Sequence, residues 1–189
     1  MKLVLFGGVH GVGKTTLFEK ILVASGGEFR VIDPGELFWE HLYQKKDKTS
    51  DETEALAVEL IEKECCLHQT VICNWHYAVW TPKGYVPQIA FPRLAGLIER
   101  VRPKCVQLVL VRASTDVVLL RREGDQAIKK RKIDRVCVEE EVAHTEHLYR
   151  LHHNVISSRV KTVSTVFDNT APIDGATIER FRTALYETS

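Results

Sequence analysis

Short apolar runs rich in β-branched residues recur along the chain and alternate with longer stretches of helical periodicity. Leu3–Phe6, Arg30–Asp33, Thr70–Asn74, Cys105–Arg112 and Lys161–Phe167 have the length and composition of strands. Helices are predicted over Lys14–Ser25, Gly35–Lys45, Asp51–His68, Phe91–Arg100, Ser114–Arg122, Glu139–Val160 and Gly175–Glu187. Ser114 and Asp174 stand where N-caps belong, directly before two of these stretches. Strands separated by helices in this order imply βαβ crossovers and a parallel sheet buried on both faces. The expected architecture is a three-layer α/β domain over residues 1–189, with no repeat, low-complexity tract or interdomain linker.

Two segments break the apolar pattern. Gln44–Thr53 is polar throughout and reads as a solvated connection. Gly124–Arg135 is a basic excursion between two helices, and Arg121 to Arg135 holds seven Lys or Arg against three acids. As a plain surface this would be a solvated helix face; its cations and its place after the fourth strand also suit a mobile lid, about 121–137, that clamps anions. The formal net charge of +1 gives no global field toward nucleic acid or an anionic membrane. Five cysteines, without CxxC or zinc-ligand spacing, read as reduced thiols, with Cys73 and Cys105 inside apolar runs as buried structural ones. The apolar run Leu3–Phe6 is too short for a signal core and no stretch approaches bilayer-spanning length, so the expected location is cytoplasmic.

The clearest chemistry lies between the first strand and first helix. Gly8-Val9-His10-Gly11-Val12-Gly13-Lys14-Thr15 satisfies G-x-x-x-x-G-K-[ST]. Glycines let the backbone curl so that successive N–H groups point at phosphate oxygens, and the helix start adds its positive dipole end. In that arrangement Lys14 reaches the β- and γ-phosphates and the Thr15 hydroxyl ligates magnesium. Gly8, Gly11, Val12, Gly13, Lys14, Thr15 and Thr16 are the expected nucleotide-binding residues, with ATP and Mg2+ as cofactors. The N-K-x-D guanine motif is absent, and a short chain with a basic excursion favours a small-molecule kinase over a GTPase.

Beyond the loop, several stretches resemble archaeal-type adenylate kinases. GGVHGVGKTT is similar to their G-x-P-G-x-G-K-T-T loop, Thr81-Pro82-Lys83-Gly84-Tyr85-Val86-Pro87 to their TPKGYLPG segment, and Leu120–Asp125 to their RRLGD entry to the lid. The resemblance spans almost the whole chain, His144–Arg159 and Lys161–Asn169 included. It implies the nucleoside monophosphate kinase variant of the P-loop NTPase fold: a five-stranded parallel sheet, an acceptor-binding region at about 33–68 and a short lid. It also implies phosphoryl transfer from ATP to an AMP-like acceptor. Arg121, with the lid cations Lys129 and Arg131, would neutralise the transferring group, and Asn169 would lie beside the ATP base. Asp33 to Leu37 would face the acceptor base. The expected partner is a small phosphate-bearing acceptor, with neither membrane nor nucleic acid, and family members are often oligomers.

The chain departs from that pattern in places. Where the family's third strand ends in an acid, as in V-I-V-D-T-H, this chain reads Val71-Ile72-Cys73-Asn74-Trp75-His76. Asn74 lacks the charge that orders magnesium-bound water, and Asp33 is the candidate substitute. No arginine lies between Arg30 and Arg93, leaving Lys45, Lys46, Lys48 and Lys83, or a displaced Arg93, for the acceptor phosphate. Trp75, Tyr77, Trp80 and Tyr85 gather on that side, as loop packing or as a stacking wall. Lys132 falls where an acid is usual, and His10 where the family has proline. His144, His147, His152 and His153 lack the i,i+4 spacing of a helical zinc pair and suit surface or interhelical roles. Two other readings stay open: a nucleotide-binding regulatory ATPase, and a kinase of a non-nucleotide acceptor with Asp33 as general base.

Overall fold

The computed structural model describes residues 1–25, 29–125, 133–171 and 174–186. Five parallel strands form one sheet in the order β2-β3-β1-β6-β7: β1 (Lys2–Gly7), β2 (Arg30–Ile32), β3 (Thr70–Trp75), β6 (Cys105–Arg112) and β7 (Thr162–Asp168). β1 lies at the centre and every one of its residues is buried, which is why it reads as a continuous apolar run. Successive side chains alternate between two cores. Leu3 and Leu5 join Val71, Cys73, Trp75, Val106 and Leu108 under the helices α3 (Ser50–Leu67), α4 (Phe91–Val101) and α6 (Arg135–Ser157). Val4 and Phe6 join Ile72, Val109, Val111 and Phe167 under α1 (Lys14–Ser25) and α7 (Gly175–Tyr186). This is the three-layer arrangement expected, and its C-terminal strand edge is where ligands of open α/β sheets bind.

Helix starts follow their caps. Ser114 accepts from Val117 N ahead of α5 (Thr115–Gly124), and Asp174 accepts from Thr177 N ahead of α7. Thr49 and Glu52 form a reciprocal capping box, so α3 begins at Ser50 and the last residues of the polar segment Gln44–Thr53 are its first turn rather than connection. α6 begins at Arg135, four residues before the expected Glu139, because the Asp134 carboxylate accepts from Cys137 N. The stretch expected as one helix over Gly35–Lys45 divides into α2 (Gly35–Phe38) and a π-helical segment Trp39–Gln44. A feature absent from the expectation is the antiparallel hairpin of β4 (Val79–Thr81) and β5 (Gly84–Val86), with Gly84 at φ 105°. Among the described residues no helix is long and apolar enough to cross a membrane.

The buried end of α6 closes the first core around His152. Leu148 O can only accept, so His152 carries its proton on Nδ1 and donates at 2.7 Å. Nε2 then accepts from Trp75 Nε1 at 3.3 Å. Burial pushes the His152 pKa down to about 4, so the ring is neutral. Trp75 is thus a core residue, completing the alternation of Val71 and Cys73, and not part of a substrate wall.

Candidate active site

The loop leaves β1 at Gly7 and re-enters helix at Lys14. Gly11 and Gly13 adopt φ of 89° and 88°, a region closed to most side chains. Gly8 is fixed by space as well: a Cβ there would lie 2.4 Å from Val111 O on the adjacent strand. Lys14 is buried, and its ammonium donates to the carbonyls of Gly8 (2.5 Å) and Val9 (3.1 Å), inside the curve of the loop. Thr15 and Thr16 follow in the first turn of α1, exposed at its N-terminal end.

Two adjacent arginines of α5 grip the loop from outside. Arg122 is 2 % exposed and donates through Nε (3.0 Å) and Nη2 (2.9 Å) to His10 O, and through Nη2 to Glu141 Oε2 at 2.8 Å. Glu141, on α6, returns to the same peptide, accepting from His10 N at 3.2 Å. One residue earlier, Arg121 donates to Val12 O and Asn169 O, both at 3.0 Å, and burial lowers its pKa while the guanidinium stays charged. Asn169 is buried and donates from Nδ2 to Val12 O at 2.6 Å, while its buried Oδ1 has no hydrogen-bond partner among the described residues. Arg121 and Asn169 therefore meet at the loop, from α5 and from the end of β7. Arg131, Lys129 and Lys132 lie outside the described residues, as does most of the basic excursion.

On the other flank the ends of β2 and β3 bring Asp33 and Asn74 together. Asn74 Nδ2 donates to Asp33 Oδ2 at 2.5 Å, Gly35 N donates to Asp33 Oδ1 at 2.9 Å, and Asn74 Oδ1 is buried without a partner among the described residues. The His76 ring lies 4.7 Å from that of His10, and His76 N donates to Gln88 Oε1 at 2.9 Å. Tyr77 is buried beneath the loop entrance and donates to Leu5 O at 2.7 Å, whereas Tyr85 stacks on His144 at 4.5 Å and Trp80 is exposed. Arg93 pairs with Asp51, and with Glu54 at 3.4 Å; Lys45 pairs with Glu40. Burial raises the Cys73 and Cys65 thiols, Cys65 to about 12, as befits structural cysteines. Glu141 escaped the sequence reading: only its place in a run of three acids marks it, and such a run reads as a solvated face.

This sheet order with its glycine loop defines the P-loop fold that kinases share. No family model matches the chain. It is 30% identical over 139 residues to an adenylate kinase of Methanocaldococcus jannaschii, covering 66% of this chain and 69% of that protein. It is 28% identical over 171 residues to an adenylate kinase of Thermococcus kodakarensis, covering 81% and 82%. Among solved structures, a deoxyadenosine kinase from M. mycoides superposes with TM-score 0.53 at 15% identity over 99% of this chain and all of that one. A shikimate kinase from Acinetobacter baumannii gives 0.50 at 12% identity, over 100% and 94%. The chain belongs to the archaeal-type adenylate kinase family.

Proposed function

We propose that the protein catalyses ATP- and magnesium-dependent phosphoryl transfer to a nucleoside monophosphate, AMP-like in kind. The observation that carries this reading is the loop itself. A glycine-enforced curl stands at the C-terminal end of the central strand, holds the Lys14 ammonium within it and meets a helix N-terminus. A triphosphate suits such a cradle, since Gly11 and Gly13 hold the backbone in its curl and the Lys14 ammonium can exchange the carbonyls of Gly8 and Val9 for phosphate oxygens. A divalent ion fits beside it, because the Thr15 hydroxyl is exposed and Asn74 offers a buried acceptor without a partner. When bound, with the Thr15 hydroxyl as a ligand, magnesium would neutralise charge that develops during transfer.

The chain's own residues would do the rest by positioning. Lys14 would neutralise the β- and γ-phosphates, and the N–H groups of Gly11 to Thr16 would fix the donor's phosphates. Arg121, which donates to the carbonyls of Val12 and Asn169, would turn toward the transferring group, and Arg131 would join it from the segment between α5 and α6. Asn169 would hold the base side of the loop. The acceptor would enter over the region 33–68. Residues 1–189 act as one kinase domain in this reading.

A regulatory ATPase is the second reading, favoured by Asn74 and by the engagement of Arg93 with Asp51 and Glu54. ADP formation from Mg·ATP, measured with each common nucleoside monophosphate in turn, separates the two. The kinase reading expects a strong rise with one acceptor that Lys14→Ala abolishes. Slow ATP loss that no monophosphate accelerates would refute it.

A further inference from the structure

We propose that Asp33, oriented by Asn74, supplies the negative charge that holds the water shell of the nucleotide-bound magnesium; the proposal rests on the kinase reading above. Asp33 immediately follows β2, whose Ile32 pairs with Cys73, so it stands beside Asn74 at the C-terminal edge of the sheet. On its other side Asn74 pairs with Phe6, two residues before Gly8. Neighbouring strands are about 4.8 Å apart, and the Asp33 side chain reaches toward β3, which separates it from β1, the strand that carries the loop. The His76 ring, which follows Asn74 and approaches the ring of His10, connects this corner to the loop.

The chemistry of the pair selects its ligand. The amide of Asn74 is fixed with its nitrogen on Asp33 Oδ2, which leaves Oδ1 buried and unpartnered. Asp33 Oδ1 takes the Gly35 N–H, and each carboxylate oxygen retains a further lone pair. The corner therefore presents acceptors and one negative charge. An acceptor phosphate, itself anionic and made of acceptors, is repelled by such a set. A hydrated divalent cation is its complement, because every water on the ion turns its hydrogens outward and adds positive charge. Space is held for this arrangement at Gly35, where a Cβ would fall 2.9 Å from Asp33 Oδ1. The neutral amide at position 74 serves as the positioning residue: it steadies one carboxylate where a second would add like-charge repulsion.

Manganese(II) binding, followed by electron paramagnetic resonance of the free ion, tests the assignment apart from turnover. Titrations would use the whole protein with ADP, alongside ADP affinity measured in EDTA. Asp33→Asn is expected to weaken Mn2+ binding to the ADP complex by about tenfold or more, the scale of a lost charged hydrogen bond. Metal-free ADP affinity should be unchanged, since the loop is untouched. The exchange variant Asp33→Asn/Asn74→Asp keeps one carboxylate and one amide in the same corner, and should recover most of the loss. Mn2+ affinity that stays within about twofold in Asp33→Asn overturns the proposal. So does an equal loss of metal-free ADP binding, which would make Asp33 a structural support. Loss of turnover with Mn2+ affinity intact also overturns it, in favour of Asp33 acting on a hydroxyl acceptor. Wild-type protein that binds no ADP in EDTA would instead overturn the kinase reading beneath it.

Discussion

Replacing Arg122 by methionine removes the guanidinium that holds His10 while keeping an unbranched apolar stem in its place. The donor is 2 % exposed and Glu141, its partner, has a side chain 18 % exposed. Three hydrogen bonds of 2.8 to 3.0 Å disappear together, two to His10 O and one to Glu141. Breaking a buried pair from one side costs about 3–5 kcal/mol, because the remaining charge has lost its counter-ion. Glu141 retains some contact with water, so the expected loss is about 2–4 kcal/mol, a large part of the stability of a domain this size. Urea denaturation measures it, with an unchanged m-value showing that the two states compared are the same.

A double-mutant cycle with Glu141→Gln isolates the pair itself. The two side chains act on one peptide, so their effects should be non-additive by about 1 kcal/mol or more. Nucleotide affinity should fall in both single variants, because both residues hold His10 in the loop proposed to take the phosphates. An Arg122→Met cost below about 1 kcal/mol, or a cycle that is strictly additive, would refute the claim that this pair braces the loop.

Acid should weaken the fold through His152, whose folded pKa of about 4 lies below the ordinary 6.5. Between those values the unfolded chain binds a proton that the native ring refuses, so stability present above pH 6.5 is lost as pH falls toward 4, by about 3 kcal/mol in all. His152→Gln should flatten that part of the stability-versus-pH curve measured by urea titration; an unaltered slope would assign the acid sensitivity elsewhere. Gly7→Ala should destabilise by about 1–3 kcal/mol in the same assay, since its Cβ would meet the fully buried Tyr77 ring. That contact falls at 2.5 Å. A neutral result would mean the ring can withdraw.

The sheet was legible because strands buried on both faces are written as unbroken apolar runs, and Cys105–Arg112 holds to the residue. What the runs did not show was where strands become loops: Trp75 continues the inward alternation of Val71 and Cys73, yet an aromatic beside His76 and Tyr77 also suits a pocket wall. The β4–β5 hairpin stayed hidden since three-residue strands carry no period to read. The start of α6 was masked by the basic residues before it, although Asp134 as cap was available as a signal. In the site, the loop could be read from type and spacing alone. The division of labour between Arg121 and Arg122 could not, because it depends on the 100° turn between successive helical residues, which sends one to Val12 and Asn169 and the other to His10. Glu141 is 131 residues from the peptide it braces, a distance no local pattern spans.

The pairing of the arginines around α3 bears directly on which reading of function is stronger. Arg30, Arg93 and Arg100 each face acids of α3: Glu64 at 2.6 Å, Asp51 with Glu54, and Glu62 at 3.0 Å. If these bonds were strong, no arginine near α3 could turn to an anionic acceptor, and the regulatory reading would gain. Their strength follows from their exposure. Asp51 has an 80 % exposed side chain and Arg93 a 34 % exposed one, and pairs of that kind contribute about 0–1 kcal/mol. Arg30 is bound to a Glu64 that is only 9 % exposed and would leave it with fewer compensating waters. Arg93 can thus give up Asp51 at little cost, though its second partner Glu54 is only 14 % exposed, and a dianionic phosphate, which accepts charge-assisted bonds of about twice the ordinary strength, competes well with a solvated aspartate. Its pairing with Asp51 therefore does not count against a nucleoside monophosphate as acceptor; the neutral Asn74 is the departure that still needs compensation, and Asp33 stands where that compensation can come from.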